Sequence, residues 1–470
     1  MEMDKRQDAI SCTELFLLVG DVMARVTWMQ IEEKQGCHGR LYVEAETGAE
    51  SRDAAIYEGN GAVCIGCQKD GGQIPIFQGM LTRLEAKNAG DICRLKVEAA
   101  TFSLLLDIQR HTLAYQDPGI SFHRLIRQAV SVFPGAQALI GIPDQPVGQI
   151  EIQYQETVWE FVKRLSAQKG SFVYADSQNS SLCLFVGLPY RKVDVVWDDS
   201  PYTTRRNMRN EELEGMLAGT VTHFLETYDI VPLGSAVDFH GQECFVTTVG
   251  RYLKDGLLVN TYILCTEQGQ KRREYDNPLL CGVSLYGTVA DVKRNRVRVM
   301  LEQDALPSSQ EPYYYAFSTV AASPDGNGWY CMPKAGDPVR VFFPTGKERD
   351  GYVIANVQGK SSPEPGSPIG NPELKDITTP DGKTLQFISG GILLSVSGQS
   401  GVVTLTSGKK AEIASKQSIS VSAAEEILLA TEGEVACCAD GEIQMNCDGG
   451  GSISIKGDTI TVSAGQIENN

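Results

Sequence analysis

No stretch of this chain approaches the roughly 20 apolar residues that cross a bilayer as a helix. The most apolar N-terminal run, Leu15–Gly20, is cut off by Asp21, and the Lys5-Arg6 pair before it sits among acidic residues, so no secretory signal is expected. Basic charge is also short. Lys and Arg number 42 against 59 Asp and Glu, a formal net charge of -17, which disfavours nucleic acid and electrostatic docking on anionic lipid. Histidine is scarce: His38, His111, His123, His223 and His240 form no HExxH or triad spacing, and none follows His240. No GK[ST] or GxGxxG loop follows a strand, and Gly59-Asn60-Gly61 and Gly71-Gly72 read as hairpin turns. The sequence therefore predicts no catalytic, cofactor or metal site, and a protein that is not an enzyme.

Cysteine is plentiful but unpatterned. Thirteen scattered thiols, an odd number, suit a reduced protein better than a disulfide framework. Cys64 and Cys67 have metal-site spacing, with Cys37-His38 and Cys93 as conceivable partners; as small apolar residues of strands they need no metal. Cys437 and Cys438 read the same way.

Glycine is abundant at 47 residues, often in turns between short apolar runs, and aromatics run out at Phe387. Beyond that point an eight-residue repeat takes over. Val403, Ala411, Ile419, Ile427, Val435 and Ile443 are spaced by eight, and Leu405, Ile413, Val421, Leu429, Cys437 and Met445 follow each by two. Residues two apart share a strand face, so each octad predicts a short strand with one apolar face and a polar turn such as Ser407-Gly408-Lys409. Out of register, the pattern continues in Ile392-Leu394-Val396, Ile453-Ile455 and Ile460-Val462, with one slip at Gly449-Gly450-Gly451. One octad cannot bury its own face, so the repeats must stack. Either one chain coils through several octads, or three chains each supply a wall of a shared prism. A plain antiparallel meander fits less well with the polar, turn-rich linkers. The expected buried face comprises Val403, Leu405, Ile413, Ile419, Val421, Ile427, Leu429, Val435, Ile443 and Met445.

Upstream, the proline-rich connector of residues 361–376 should be extended and semi-rigid. Residues 281–360 read as about five strands in 75 residues, a small closed barrel of the OB type. Its strands are expected in Leu285–Leu301 around a turn, in Tyr313–Ala322, in Pro338–Phe343 and in Asp350–Val357, with a turn at Asp325–Gly328 before Trp329-Tyr330. Residues 1–280 predict an α+β region. Ser121 caps one amphipathic helix to Val130. Thr157–Gly170 is a second, with Val158, Phe161, Val162 and Leu165 facing a core, basic residues in its last turns and a glycine stop.

The run Gln155–Tyr174, its continuation Leu184–Pro189, and the later segments Val231–Phe239, Phe245–Arg251, Leu257–Leu264 and Trp329–Phe343 resemble, in that order, VgrG-type spikes and phage baseplate hubs of contractile injection systems. The resemblance implies a trimer. Residues 1–280 would form a hub docking on tail-tube and baseplate proteins, followed by the OB barrel and a needle over 377–470. A sheath's contraction would drive that needle, with effectors and a PAAR-like tip protein, into transient contact with a target membrane. The protein would be assembled in the cytoplasm without a signal peptide and leave the cell on the apparatus. The expected fold class is mainly β: an α+β hub, an OB-fold barrel and a trimeric β-helix or β-prism needle. No lysozyme-like domain fits between barrel and connector. Rival readings are a β-helix depolymerase, which needs longer coils with a groove of carboxylates and aromatics, and an adhesin, which needs a binding head.

Overall fold

A computed structural model of the chain describes residues 9–58, 61–69, 71–207, 220–305, 312–320, 331–355, 373–379, 381–396, 400–408 and 410–468. The chain divides into two compact units, residues 1–357 and 358–470.

The first unit opens with β1 (Leu15–Val19), β2 (Val22–Lys34), β3 (Arg40–Gly48), β4 (Ala62–Lys69), β5 (Gly72–Ala89) and β6 (Ile92–Ala100). They pair in the order β1-β4-β5-β6-β3-β2, and β2 pairs back with β1, which closes a barrel. Alternation in β2 sends Val22, Ala24 and Val26 inward; a bulge at Val26/Trp28 then lets Thr27 and Trp28 both face out before Met29 and Ile31 turn inward again. Cys67 and Cys93 lie in this barrel's core, where burial pushes both thiols up. They are packing residues of strands, and among the described residues no group of three His, Cys, Asp or Glu is placed to hold a metal ion.

A helical lobe follows: β7 (Arg110–Tyr115), α1 (Phe122–Val130), β8 (Gln137–Ile140), β9 (Glu151–Thr157), α2 (Val158–Gln168), β10 (Val173–Ala175) and β11 (Cys183–Val186). Ser121 caps α1 by accepting from Arg124 N at 3.2 Å. Thr157 and Glu160 form a reciprocal capping box at the start of α2, and Gly170, at φ +68, accommodates the turn after it. Val158, Phe161, Val162 and Leu165 are buried, as their spacing predicts. Arg164, one of the basic residues of this helix, is only 1% exposed, a burial that the sequence reading did not address.

From β2 the sheet extends through β12 (Tyr202–Asn207), β13 (Thr220–Thr227), β14 (Ala236–Phe239), β15 (Gln242–Lys254) and β16 (Leu257–Cys265), ordered β2-β15-β16-β13-β12 with β14 on β15. A buried ion pair, Arg251 Nη1 to Glu33 Oε2 at 2.5 Å, ties β15 to β2.

β17 (Val283–Lys293), β18 (Arg296–Leu301), β19 (Tyr315–Phe317), β20 (Pro338–Phe343) and β21 (Tyr352–Ala355) form the expected small closed barrel, ordered β17-β18-β19-β21-β20. Leu285, Val289, Val297, Tyr315, Val341 and Phe343 fill it. A Cβ on Gly287 would meet the Met300 carbonyl oxygen at 2.5 Å, so this close strand crossing needs glycine. The strand expected over Tyr313–Ala322 contracts to β19. The turn at Asp325–Gly328, Trp329-Tyr330 and residues 361–372 of the connector lie outside the described residues. The hub grips the barrel through backbone: Ala114 N donates to Gln303 O, and Ala305 N to Ala114 O, both at 2.8 Å.

In the second unit β22 (Lys375–Thr378), β23 (Thr384–Ile388), β24 (Gly391–Val396), β25 (Gly401–Thr406) and β26 (Ala411–Ser415) make an antiparallel meander, and β27 (Glu442–Asn446), β28 (Ser452–Lys456) and β29 (Thr459–Ser463) make a second. Among the described residues no single-chain coil forms, and the meander that the sequence reading set aside is present. Residues 416–441 hold the octads of Ile419, Ile427 and Val435 yet form no strand. A strand needs a neighbour for its ladder, and within this chain these octads have none.

Candidate functional site: the uncovered faces of the repeat

Strand register sorts the meander's side chains onto two faces. Ile377 opposes Leu385, Leu385 opposes Leu394, Leu394 opposes Val403 and Val403 opposes Ile413. Two residues along, Phe387 opposes Ile392 and Ile392 opposes Leu405. One face is therefore apolar from edge to edge. Asp376, Gln386, Ser395, Thr404 and Glu412 alternate onto the other, mixed there with Leu393 and Val402. The apolar face is open to solvent: Leu405 is 50% exposed and Ile413 64%. It lines a cleft of about 630 Å³ with Ile419 at its rim. The distal meander repeats the arrangement, with Ile443 opposite Ile455, Met445 opposite Ile453 and Ile453 opposite Val462.

Between the two meanders the apolar residues are barer still. Val421 is 70% exposed and Leu429 75%, while Ile419, Ile427 and Val435 are also exposed. Val403 and Ile443 are half-buried, and Met445 is exposed. Structure thus brings Val403, Leu405 and Ile413 onto one sheet face and Ile443 and Met445 onto another. It leaves Ile419, Val421, Ile427, Leu429 and Val435 on unpaired backbone. An exposed apolar face this long, in a chain whose other strands bury theirs, marks a surface built to be covered. Hiding one such Ile or Leu is worth about 1.5–3 kcal/mol.

The sequence reading missed one constellation. Ser103 Oγ lies 2.8 Å from His38 Nδ1, and His38 Nε2 lies 3.2 Å from Asp107 Oδ2. Burial alone would raise Asp107, but hydrogen bonds from His38 and Thr157 hold its carboxyl below the usual range. Residues 65 and 69 positions apart give no local signal of this grouping. Ser103 is itself buried, its hydroxyl 2.9 Å from that of Thr101, and the His38 ring packs on Trp159 at 4.4 Å. A nucleophile needs an open approach and an oxyanion site. This one has neither approach nor room, and its hydrogen bonds pin the β2–β3 loop to the helical lobe.

Residues 285–357 match the family model of the type VI secretion system/phage-baseplate injector OB domain. No curated protein matches the chain in sequence. The fold is similar to that of the Escherichia coli c3393 protein, described as a type VI secretion component with structural similarity to the T4 bacteriophage tail proteins gp27 and gp5. That match has TM-score 0.52 and 14% identity, covering 72% of this chain and 98% of that one. It is also similar to a chain of the half-lidded Francisella PdpA–VgrG complex, with TM-score 0.55 and 7% identity, covering 85% of this chain and 88% of that one. The lidless form of that complex gives TM-score 0.54 at 6% identity, covering 85% and 97%. At such identities the likeness is one of fold. In class, this is a mainly β protein with an OB-fold barrel. In particular, its fold is similar to that of VgrG-type spikes, and residues 285–357 match the type VI secretion system/phage-baseplate injector OB domain.

Proposed function

We propose that this chain is the trimeric spike of a contractile injection system, joining a tail tube at its N-terminal hub to a puncturing needle at its C-terminus. The observation that carries the reading is the repeat. Two meanders, each with one continuous apolar face, flank 26 residues, 416–441, that have strand periodicity, exposed apolar side chains and no strand partner in their own chain. Three copies supply what is missing: each meander becomes one wall of a prism, and the middle octads pair between chains.

In this reading the hub docks on tube and baseplate proteins, a separate PAAR-like protein caps the needle, and effectors ride with it. The protein is not an enzyme, contacts the target membrane only transiently, and leaves the cell on the apparatus. Light scattering on the intact protein tests it. The expected mass is three times the 51.2 kDa of one chain. A monodisperse monomer that shields its apolar repeat would sink the proposal.

A further inference from the structure

Helix α2 drives one charged side chain into the interior, and three carboxylates meet it there. Glu156 accepts from Arg164 Nε at 2.9 Å and Nη2 at 3.0 Å. Glu348 accepts from Nη1 at 2.8 Å, and Glu151 from the same Nη1 at 3.3 Å. Nη2 also donates to the Ile152 carbonyl at 2.9 Å, and the guanidinium carbon lies 5.3 Å from the centre of the Phe161 ring. Glu151 and Glu156 belong to β9 in the helical lobe. Glu348 opens the 3-10 turn Glu348–Asp350, between β20 and β21 of the OB barrel. One arginine therefore spans the joint between hub and barrel, with 1% of its side chain exposed.

The charges do not balance. Fully ionised, three carboxylates around one guanidinium leave two buried negative charges uncompensated, a state proteins avoid by keeping a proton. The remaining neighbours offer no relief. Gln149 and Gln168 each donate an amide to Glu151 Oε1, at 2.8 and 2.9 Å. Glu160, in the first turn of α2, lies near Glu156 with its own charge paired to Arg110 of β7 at 3.0 Å, so Arg110 does not balance the cluster. Tyr315 of β19 and Tyr275 ahead of the barrel face the cluster as neutral phenols, both raised chiefly by burial. Arg272 stacks on Phe172 and Tyr275, at 5.2 and 5.0 Å from their ring centres.

We propose that Arg164, Glu151, Glu156 and Glu348 form a proton-binding site that clasps hub to barrel: the closed joint holds one proton among its three carboxylates, and giving it up loosens the joint. Glu151 keeps it most directly, because it meets Nη1, which Glu348 already engages, only at 3.3 Å, and its other oxygen takes neutral amides. Burial first, and the Glu348 charge second, push Glu151 up to about 7; burial also raises Glu156. The sign follows from linkage. Opened and solvated, Glu151 returns to its ordinary 4.5, so between 4.5 and about 7 only the closed joint keeps the proton. The clasp is tightest in acid, loosens as pH rises through that window, and is level above it.

Hydrogen exchange on the full-length protein reads this at the β9 amides, among them Ile152 N, which donates to Glu348 at 3.5 Å. After correction for intrinsic exchange, the opening constant should rise with pH across the window, by about 40-fold from pH 5 to pH 7. Glu151→Gln replaces the shared proton with a permanent neutral group. Its profile should be flat, with protection at pH 7 close to that of the native protein at pH 5. A native profile without slope, or an unchanged slope in Glu151→Gln, overturns the proposal. Infrared difference spectra of the unaltered protein decide the matter even if that variant folds poorly. A neutral buried carboxyl band should persist at about pH 6 and vanish by about pH 8.5, and its absence at the lower pH equally overturns it.

Discussion

Helix α2 and residues 416–441 are equally periodic in sequence and end in opposite surroundings. In α2, Phe161, Val162 and Leu165 are fully buried by strands and helix of the same chain. In 416–441, Val421 and Leu429 stand in water. Periodicity tells which face of an element is apolar and nothing about whose atoms will cover it. The N-terminal region covers its apolar faces with its own chain; the repeat leaves its apolar faces open. That contrast makes separable predictions, because changes in one region should act on stability and changes in the other on assembly.

Removal of residues 377–470 should have the largest effect. The trimer should be lost or severely weakened, with the hub's own thermal transition kept, as seen by light scattering alongside calorimetry. If the shortened chain stays as tightly trimeric, the hub carries assembly and the comparison fails. Next comes Arg164→Met. Three buried carboxylates lose their counter-charge, and breaking a buried pair from one side costs about 3–5 kcal/mol. The hub's thermal transition should drop accordingly, and Arg164→Lys should restore little, because an ammonium cannot make the same forked contacts.

A matched pair sharpens the contrast further. Leu165→Ala should cost the hub about 2–5 kcal/mol whatever the protein concentration. Leu429→Ala removes the same atoms from a residue exposed in its own chain. It should leave the hub transition in place and instead weaken the trimer, most visibly on dilution. Equal effects of the two changes on the hub transition would erase the distinction.

What the sequence made legible follows the same division. The cap at Ser121, the glycine stop at Gly170, the core stripe of α2, the five-stranded small barrel and the apolar strand faces of the repeat are local patterns, and all are present in the structure. Less legible was whatever depends on distant partners. The burial of Arg164 was not foreseen, because one of its carboxylates, Glu348, lies 184 positions away. The six-stranded N-terminal barrel was likewise hidden, since its closure depends on β1 pairing with both β2 and β4. In the repeat, octad spacing gave the apolar positions correctly but not the strands: residues 416–441 have the pattern without the ladder.

The smallest expected effect concerns Ser103. Its contacts with His38 and, through His38, with Asp107 look like a hydrolytic triad drawn on paper, but the serine is buried and its hydroxyl is already engaged with Thr101. A fluorophosphonate that labels activated serines should leave the native protein unmodified. Ser103→Ala should cost about 1 kcal/mol, the ordinary worth of a lost hydrogen bond, with the trimer intact. Stoichiometric labelling at Ser103, abolished by His38→Ala, would put a working nucleophile in the hub. It would also end the view that this region's buried polar groups serve only to hold a stable unit together.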